Sequence, residues 1–439
     1  MKLEKLLIKT LREAPEGAET PGHRFSLRGG YVHQTGAGLY TYSPLGLRVL
    51  KNIENVVRRE MNRLGCQEIL MPMVSPASLW VESGRYDSVD VLLKFKTRGG
   101  LNSVLNPTHE EIVCDYVRSC LQSYRQLPFA LYQLQTKYRD ELRVRAGLIR
   151  CREFSMKDAY SFHRSYEDLE EFYGKMLNAY HLIYKKVGLE GILDVVASVG
   201  DMGGKISHEF QLISPIGEDR IYLCDSCDFR CNGEMLEDLK KGGRDIFCPK
   251  CGKELRETRG VEVGNIFQLG NRYSESMNVF YSDENGKRCS PTMGCYGIGL
   301  SRTLASILEQ RAALPLEDSE EKARGLWNML TAPYRVHVMS LGNSPEVKEA
   351  SAKIYRDLEF LNIEAILDDS EDRAGSKFTN FELIGAPLGI VLSKKCLEEG
   401  TAELKCGNVG GDYPKNIPLA EVPSWIDKFI KNELTILDN

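Results

Sequence analysis

Four cysteines in the middle of the sequence have the spacing of a metal site. Cys224 and Cys227 form one CxxC pair, and Cys248 and Cys251 form a second pair about twenty residues later. Thiolates at this spacing bind Zn²⁺ tetrahedrally, and four protein ligands leave no position open for catalysis. The pattern predicts a structural zinc site, with four unrelated reduced cysteines as the alternative. Cys231 lies between the pairs and is a spare thiol that could replace one ligand.

Charged and aromatic residues also mark two strand-like runs between residues 128 and 162. Arg139 and Glu141 end the first run, and Arg150, Arg152 and Phe154 lie in the second. A planar guanidinium binds two phosphate oxygens and stays charged at any working pH, and an aromatic ring can stack on a base. The runs predict a hairpin with one nucleotide-binding face. Paired charges on a solvated hairpin are the alternative.

Other residues extend this nucleotide hypothesis. Arg143 and Arg145 flank a turn at Ala146–Gly147, which gives the hairpin a basic tip. Arg302 follows a glycine-rich run, "GCYGIG", at the start of a predicted helix. The sequence has no GxxxxGK[ST] motif, and the glycine-rich run lacks the βαβ context of a dinucleotide fingerprint. Phosphate binding by arginines is therefore favoured over a phosphate-binding loop.

Composition places limits on the class of protein. The chain has 439 residues, 42% of them hydrophobic, which suits two or three globular domains. The formal net charge is −5, so a nucleic-acid partner must be held by a local basic surface. Charges interrupt the apolar positions of the N-terminus, and the later sequence lacks a run of membrane-spanning length. We expect a cytoplasmic protein with reduced cysteines and no membrane partner.

The periodicity of apolar residues predicts the elements that position these groups. A helix from Leu47 and a second over Tyr166–Val187 have helical spacing, with Gly65 as the C-cap of the first. The run "CQEILMPMV" predicts a strand that ends or bends near Pro72 on a sheet edge. From Tyr334 onward, strand and helix patterns alternate, as in a small α/β domain. The charged "LPLEDSEEKARG" before it reads as a linker.

Many of these blocks, in this order, resemble the bacterial-type prolyl-tRNA synthetases, a family of class II aminoacyl-tRNA synthetases. The resemblance rests on "NPTHEE", "KYRDE", "REFSMKDAYSF", "SHEFQ", "VEVGNIFQLG", "MGCYGIGLSR" and "DDSEDRAGSKFTNFELIGAP". It implies an α+β catalytic domain built on a six-stranded antiparallel sheet flanked by helices, a homodimer through the first motif, and proline, ATP and tRNA-Pro as partners. The implied limits are 1–219 and 259–312 for the catalytic domain, 220–258 for a zinc-binding insertion, 313–333 for a linker and 334–439 for an anticodon-binding domain.

The resemblance also implies roles for the hairpin residues. Arg139 would bind the α-phosphate of ATP and the substrate carboxylate, and Glu141 and Phe154 would hold adenine. Arg302 would reach the terminal phosphates, which Mg²⁺ usually bridges. Positioned arginines would offset the repulsion between two anions as a carboxylate attacks phosphorus. The ATP-binding set is completed by Arg150 and Gln211.

Proline recognition is assigned by the same resemblance. Thr108 and Glu110 match the family's proline-binding motif, since a carboxylate suits a cationic imino group; a capped helix start is the alternative. His208 and Cys295 would line the same pocket. Arg143 and Arg145 would contact the acceptor end of tRNA, although Val144 and Ala146 replace the proline and aromatic residue usual in the family. The segment with Asp369, Arg373, Lys377 and Phe378 resembles one in the family's C-terminal domain, and we assign no bases to it.

Many bacterial relatives carry a large editing domain between the second and third motifs, where this sequence has only residues 220–258. A segment this short needs a metal to fold, so we expect a zinc-stapled insertion and no editing of alanyl-tRNA in the same chain. Two alternatives remain: a catalytically inactive, RNA-binding or regulatory paralogue, and a synthetase for threonine or serine. The presence of Arg139, Arg302, Thr108 and Glu110 favours an active prolyl enzyme over both.

Overall fold

The structure, a computed structural model, describes residues 1–8, 10–241, 247–312, 326–407 and 413–438. Within these ranges the helices are α1 Pro21–Arg28, α2 Pro44–Arg63, α3 Ala77–Glu82, α4 Glu110–Cys120, α5 Tyr166–Val187, α6 Gly233–Lys241, α7 Arg272–Ser276, α8 Leu300–Ala312, α9 Pro345–Phe360, α10 Ala374–Ile384, α11 Lys394–Glu398 and α12 Val422–Asp438. None of these described helices has the length and apolar character that a membrane crossing requires.

The strands are shorter and more numerous than the helices. They are β1 Val32–Gly36, β2 Leu39–Tyr42, β3 Gln67–Glu68, β4 Val74–Pro76, β5 Leu93–Lys96, β6 Asn102–Leu105, β7 Phe129–Tyr138, β8 Glu153–His163, β9 Ile192–Ala197, β10 Ile206–Ile213, β11 Asp219–Cys224, β12 Arg230–Asn232, β13 Leu255–Gly270, β14 Tyr281–Ser282, β15 Arg288–Cys289, β16 Thr292–Gly299, β17 Val336–Ser340, β18 Ala365–Asp368, β19 Leu388–Leu392, β20 Thr401–Cys406 and β21 Asn416–Pro418.

The central sheet has nine described strands in the order β10-β9-β12-β11-β13-β16-β8-β7-β3, and β10 also pairs with β13. Six of them, β9, β10, β13, β16, β8 and β7, are joined by antiparallel pairings, as the resemblance implies. The other three extend the sheet: β3 pairs parallel with β7, and β11 and β12 come from the insertion. The insertion strands therefore continue the catalytic sheet.

The predicted helices α2 and α5 begin and end for local reasons. The Ser43 hydroxyl accepts a hydrogen bond from the Gly46 amide at the start of α2, with Pro44 in its first turn. Leu64 is the C-cap of α2, and Gly65 follows it in the left-handed region at φ 76°. The Ser165 hydroxyl caps α5, and Gly188 ends it at φ 82°. Both helices pack on one face of the sheet.

The strand predicted from Cys66 to an end or bend near Pro72 is shorter than expected, because only Gln67–Glu68 pair as β3. Beyond them, the amide of Met71 donates to the side chain of Gln133, and Gln135 donates to the Met71 carbonyl. Pro72 has no amide to donate, so the backbone leaves the ladder here. Val74–Pro76 then pair with β6 in a separate three-stranded sheet.

The C-terminal unit has the predicted alternation of strand and helix. Its five-stranded sheet has the order β18-β17-β19-β20-β21, with β17 parallel to both β18 and β19. Of the predicted linker, residues 313–325 lie outside the described residues, and the part from Leu326 to Pro333 is buried. Trp327 Nε1 donates to the Tyr31 hydroxyl over 2.8 Å, and that hydroxyl donates to the Leu383 carbonyl at 3.0 Å. These bonds join the two units through a buried contact.

Candidate active site

A cleft that is open to solvent, with about 520 Å³ of empty space, lies on the face of the sheet opposite α5, where the hairpin of β7 and β8 meets β13 and β16. The strand register runs from Phe129 opposite Phe162 to Tyr138 opposite Glu153, so the tip residues continue beyond the paired part. Five of the predicted ATP-binding residues line this cleft: Arg139, Glu141, Arg150, Phe154 and Arg302. Folding therefore brings together residues that are up to 163 positions apart in sequence.

The two predicted catalytic arginines have fixed positions in this cleft. The Arg139 guanidinium lies 5.2 Å from the centre of the Phe154 ring. Arg302 donates from Nε to the Ile149 carbonyl at 2.8 Å and from Nη1 to the Glu262 carbonyl at 2.7 Å. Burial and the nearby Arg302 charge lower the pKa of Arg139. Two cations held close together in a cleft form a site for a polyanion.

Three other arginines of the hairpin make contacts with carboxylates or backbone. Arg150 donates to Glu141 at 2.7 Å and to Glu218 at 2.7 Å, and Arg145 pairs with the same Glu218. Arg152 does not line the cleft as its spacing predicts. Its side chain donates to the carbonyls of Glu141 and Ala37, and its amide donates to the Gly38 carbonyl.

The two arginines of the hairpin tip, Arg143 and Arg145, are exposed, whereas the turn at Ala146–Gly147 is buried. Ala146 and Gly147 have φ values of 50° and 63°, so the turn lies where expected. Arg143 is exposed and Leu142 beside it is 97% exposed. A tip of this kind is accessible to a large partner.

Gln211 lies beside the cleft among acidic side chains. It opposes Glu262 in the register after a bulge in β13, and its amide donates to Glu209 and Asp219, both at 3.0 Å. Its Oε1 is buried without a hydrogen-bond partner among the described residues. Burial and the Glu262 charge raise the pKa of Glu209 to about 8 and also raise that of Asp219. The arrangement favours binding of a cation.

A second cluster contains three of the predicted proline-binding residues. Thr108 donates to Oε2 of Glu110 at 2.6 Å, and the Cys295 thiol donates to Oε1 at 3.1 Å. Arg85, which the sequence analysis missed, lies 3.4 Å from Glu110 and 3.0 Å from Glu111. Glu110, Glu111 and Arg85 are all buried.

A buried polar network lies directly beneath this cluster. Lys137 Nζ donates to Nδ1 of His109 at 2.5 Å and lies 2.7 Å from Asp158. His109 Nε2 donates to the Pro72 carbonyl, which assigns the neutral tautomer, and burial with the Lys137 charge lowers the pKa of His109 to about 4. Since His109 lies between Thr108 and Glu110, the network fixes both. His109, Lys137 and Asp158 lie in three of the quoted motifs, but no local sequence pattern predicts that they are in contact.

The two clusters are neighbours on one sheet face. Side chains alternate along a strand, so Lys137 on β7 and Arg139 just beyond its end point the same way, as do Cys295 and Gly297 on β16. Cys295 touches the Glu110 cluster, whereas Gly297 and Arg139 line the arginine cleft. Two residues along a strand correspond to about 7 Å. A small carboxylic acid at Glu110 would thus lie next to a nucleotide held by Arg139.

The structure does not bring His208 to this cluster. His208 opposes Ile266, which opposes Tyr296, and directly opposed residues share a face. Cys295 precedes Tyr296 and so points to the other face. Nδ1 of His208 lies 2.7 Å from the Tyr173 hydroxyl of α5. The geometry therefore gives no support to a proline contact by His208.

The four predicted zinc ligands converge in the insertion. The sulfur atoms of Cys224, Cys227, Cys248 and Cys251 lie within 4.8 Å of one another. Two pairs, Cys224–Cys251 and Cys227–Cys248, are 3.4 Å apart. Four thiolates about 2.3 Å from a tetrahedral zinc ion lie about 3.8 Å from each other, so the donor set fits zinc. Cys231 is buried in β12 and lies outside this group.

Comparisons with known proteins agree with this geometry. A family model described as "tRNA synthetase class II core domain (G, H, P, S and T)" matches residues 93–311, and one described as "Anticodon binding domain" matches residues 335–429. The proline–tRNA ligase of Ehrlichia ruminantium (strain Gardel) is 38% identical over 416 residues, 92% of this chain and 95% of the relative. That of Wolbachia pipientis wMel is 40% identical over 413 residues, with the same coverage. The chain belongs to the prolyl-tRNA synthetase family.

This synthetase lacks a long segment that some relatives contain. The proline–tRNA ligase of Halothermothrix orenii is 32% identical in an alignment of 577 positions, which covers 98% of this chain and all of the relative. The alignment is longer than the chain itself, which has 439 residues. The prediction that a large insertion is missing is confirmed.

Solved structures share the fold of this synthetase at low identity. Giardia lamblia prolyl-tRNA synthetase in complex with prolyl-adenylate has a TM-score of 0.73 at 18% identity, over 95% of this chain and 79% of that chain. The Cryptosporidium parvum enzyme complexed with halofuginone and AMPPNP has a TM-score of 0.72 at 17% identity, over 95% and 78%. The class II core and anticodon-binding fold predicted from the sequence are confirmed.

Proposed function

We propose that this synthetase activates proline with ATP to form prolyl adenylate and pyrophosphate, and then transfers proline to the 3′ end of tRNA-Pro. The observation that carries the proposal is the adjacency of the Glu110 cluster and the arginine cleft on one sheet face. An amino acid and a nucleotide bound side by side are the two reactants of adenylate formation. Proximity of this kind converts a bimolecular reaction into one within a complex.

Proline binding is assigned to the Glu110 cluster. The Glu110 carboxylate pairs with the cationic imino group of proline, and the hydroxyl of Thr108 and the thiol of Cys295 orient it. Arg139 lies between this cluster and the cleft, so its guanidinium binds the proline carboxylate and the α-phosphate. His208 is not included, since its ring contacts Tyr173 on the other face.

ATP binding is assigned to the hairpin and β13. Adenine stacks on Phe154 and is held by Glu141, while Arg150 and Arg302 contact phosphate oxygens. A proline carboxylate oxygen attacks the α-phosphorus, a new P–O bond forms, and the bond to the leaving pyrophosphate breaks with its electron pair. The arginines offset the negative charge on the reacting groups, so no protein nucleophile is required.

Magnesium would be held beside the phosphates by Glu262, which lines the cleft, together with Glu209 or Asp219. Carboxylate oxygens are the ligands that Mg²⁺ prefers, and it commonly uses one or two of them with substrate phosphates. When bound, the ion supplies further charge neutralisation. Gln211 connects two of these carboxylates, so its role in ATP binding is indirect.

Transfer of proline uses the exposed hairpin tip. The terminal hydroxyl of tRNA attacks the carbonyl carbon of the adenylate, and AMP leaves with the electrons of the broken C–O bond. Arg143 and Arg145 contact the acceptor end, and Arg145 exchanges Glu218 for an RNA phosphate. The C-terminal unit, residues 334–439, binds the anticodon part.

Several further assignments rest on single features. The four clustered cysteines bind structural zinc in the insertion, residues 220–258. The chain forms a homodimer through the surface around α2 and β3, where Leu47, Leu70 and Val74 are 44%, 77% and 43% exposed. Mass measurement in solution tests this, and Leu70→Glu should yield monomers. All thirteen cysteines lie within the described residues, and none of them forms a disulfide, which suits a cytoplasmic enzyme.

The direct test is proline-dependent exchange of pyrophosphate into ATP, followed by charging of tRNA-Pro. We expect exchange with proline and much less with threonine or serine. Arg139→Ala should lower kcat/KM for exchange by more than about a thousandfold while the protein stays folded. An inactive paralogue predicts no exchange by the unaltered chain. Exchange that survives Arg139→Ala undiminished would exclude the assigned mechanism.

A further inference from the structure

Arg85 is a buried cation that the proposed mechanism does not use. It lies in the loop after α3, its side chain is 5% exposed, and its guanidinium carbon is 5.2 Å from the Trp80 ring and 5.4 Å from the Tyr273 ring. A buried arginine is costly unless acidic groups accept its hydrogen bonds. Here those groups are Glu110 and Glu111.

The contacts of Arg85 are unequal. Nη1 lies 3.0 Å from Oε1 of Glu111, which also accepts from the Ser83 hydroxyl at 2.8 Å. The same nitrogen is 3.4 Å from Oε2 of Glu110. Arg85 therefore binds Glu111 more closely and touches the edge of Glu110. Glu110 has its other donors in Thr108 and Cys295.

Charge counting explains why such an arrangement is useful. Arg85 carries one positive charge against two carboxylates, and the neighbouring Lys137 and Asp158 balance each other. Arg139, the other cation near Glu110, is assigned to the proline carboxylate and the α-phosphate. Among these side chains, one negative charge at Glu110 is therefore left for the cationic imino group of proline. Burial and the Glu110 charge raise the pKa of Glu111, and Arg85 opposes this rise.

We propose that Arg85 is a positioning and specificity residue that neutralises Glu111 and so leaves the charge of Glu110 available to the substrate cation. The inference rests on the proposed role of Glu110 in proline binding. It predicts that the two partners of Arg85 have different effects: Glu110 contacts substrate directly, whereas Glu111 acts only through the charge balance of the pocket.

The test uses charge substitutions that keep side-chain volume. Arg85→Met leaves two buried carboxylates without a cation. Since neighbouring carboxylates favour a shared proton, the negative charge on Glu110 is reduced, and we expect the KM for proline to rise by more than about tenfold. Glu111→Gln leaves Arg85 free to neutralise Glu110, so the KM for proline should rise several-fold. The double variant again has one unpaired negative charge, and its KM for proline should be at least about fivefold lower than that of Arg85→Met. The KM for ATP should change by less than about twofold in all three.

Rescue by a second substitution separates charge balance from packing. If Arg85 only fills space, the double variant is as impaired as Arg85→Met or worse, and that result overturns the proposal. If Arg85→Met does not fold, Glu111→Gln still tests the proposal, because an unchanged KM for proline in that variant contradicts a charge-balancing role of Arg85. Arg118→Met is the matched control. Arg118 lies on the same helix as Glu111, but it pairs with Asp115, which is exposed, and with Glu82.

One variant distinguishes failure of this inference from failure of the proposed site. Glu110→Gln should abolish measurable saturation by proline if Glu110 binds the imino group. If Glu110→Gln loses saturation by proline but the double variant of Arg85 and Glu111 shows no rescue, the site assignment stays intact and the role of Arg85 is refuted. Normal saturation in Glu110→Gln would remove the basis of both.

Discussion

The Cys295 thiol donates a hydrogen bond to Oε1 of Glu110 over 3.1 Å, which joins the middle of β16 to the first turn of α4. Burial and the Glu110 charge raise the pKa of Cys295 well above its usual value, so the group stays a thiol and remains a donor. The bond connects a strand of the sheet to the carboxylate that is proposed to bind substrate.

Removing this donor should weaken proline binding. Cys295→Ala leaves Oε1 without its partner, and the KM for proline in pyrophosphate exchange should rise by about tenfold, since a hydrogen bond to a charged group contributes about 1.5–3 kcal/mol. Cys295→Ser keeps a donor and should show a smaller increase. Equal effects of the two variants would argue that the thiol matters only for packing.

Replacing Arg302 should affect ATP more than proline. Arg302→Lys keeps the charge but loses the planar fork that binds two backbone carbonyls and phosphate oxygens, so the KM for ATP should rise by more than about tenfold. The KM for proline should change little. Arg152→Lys is the control, because Arg152 also contacts backbone but lies outside the cleft. A larger effect on proline than on ATP would refute the phosphate role.

Elemental analysis tests the zinc site. The purified protein should contain about one zinc ion per chain, and Cys248→Ser should lose the metal and melt at a lower temperature. Cys231→Ser is the matched control and should keep zinc. A stable protein without zinc would exclude the staple.

Lys157 makes stability depend on pH. Its amine is buried and donates to the Tyr180 hydroxyl at 2.6 Å and the Tyr296 carbonyl at 3.0 Å. Burial lowers its pKa from 10.5 to about 7. Between these values the unfolded chain binds a proton that the native state does not, so this contribution to stability is complete above 10.5 and is lost as the pH falls to about 7.

The comparison with Lys157→Met isolates this effect. The free energy of unfolding of the unaltered chain, relative to the variant, should increase by a few kcal/mol from about pH 7 to about pH 10. Urea denaturation at both pH values measures it, and titrations common to both proteins cancel in the difference. A constant difference would show that Lys157 keeps the same charge in both states.

The chain should not correct mischarging with alanine. It has no large insertion, and a pocket for a small apolar side chain discriminates weakly against a smaller one. We expect alanine-dependent pyrophosphate exchange at low efficiency, and no acceleration of hydrolysis when the enzyme is added to alanyl-tRNA-Pro. A family member that has the insertion serves as the positive control. Rapid hydrolysis of alanyl-tRNA-Pro by this chain would contradict the prediction and would mean that another part of the fold edits.

Local sequence predicted those parts of the site that lie within single motifs. Residue type and spacing alone indicate a chemistry for Arg139, for Phe154 and for the four cysteines. The apolar patterns of α2 and α5 predict the helices that support them. Arg152 shows the limit of such reasoning. Its alternation with Phe154 is that of a strand, but its amide donates to the Gly38 carbonyl, and its side chain reaches the carbonyls of Glu141 and Ala37 instead of the cleft.

What the sequence by itself determined is therefore the family, the order of the elements and the chemistry of each motif. Only the tertiary structure decided which residues meet: that Arg85, from a loop without a local signal, lies between Glu110 and Glu111, and that His208 faces α5. The reason is that a sheet face is defined by the register between distant strands. One residue of register changes which face a side chain occupies, and no local pattern specifies that pairing.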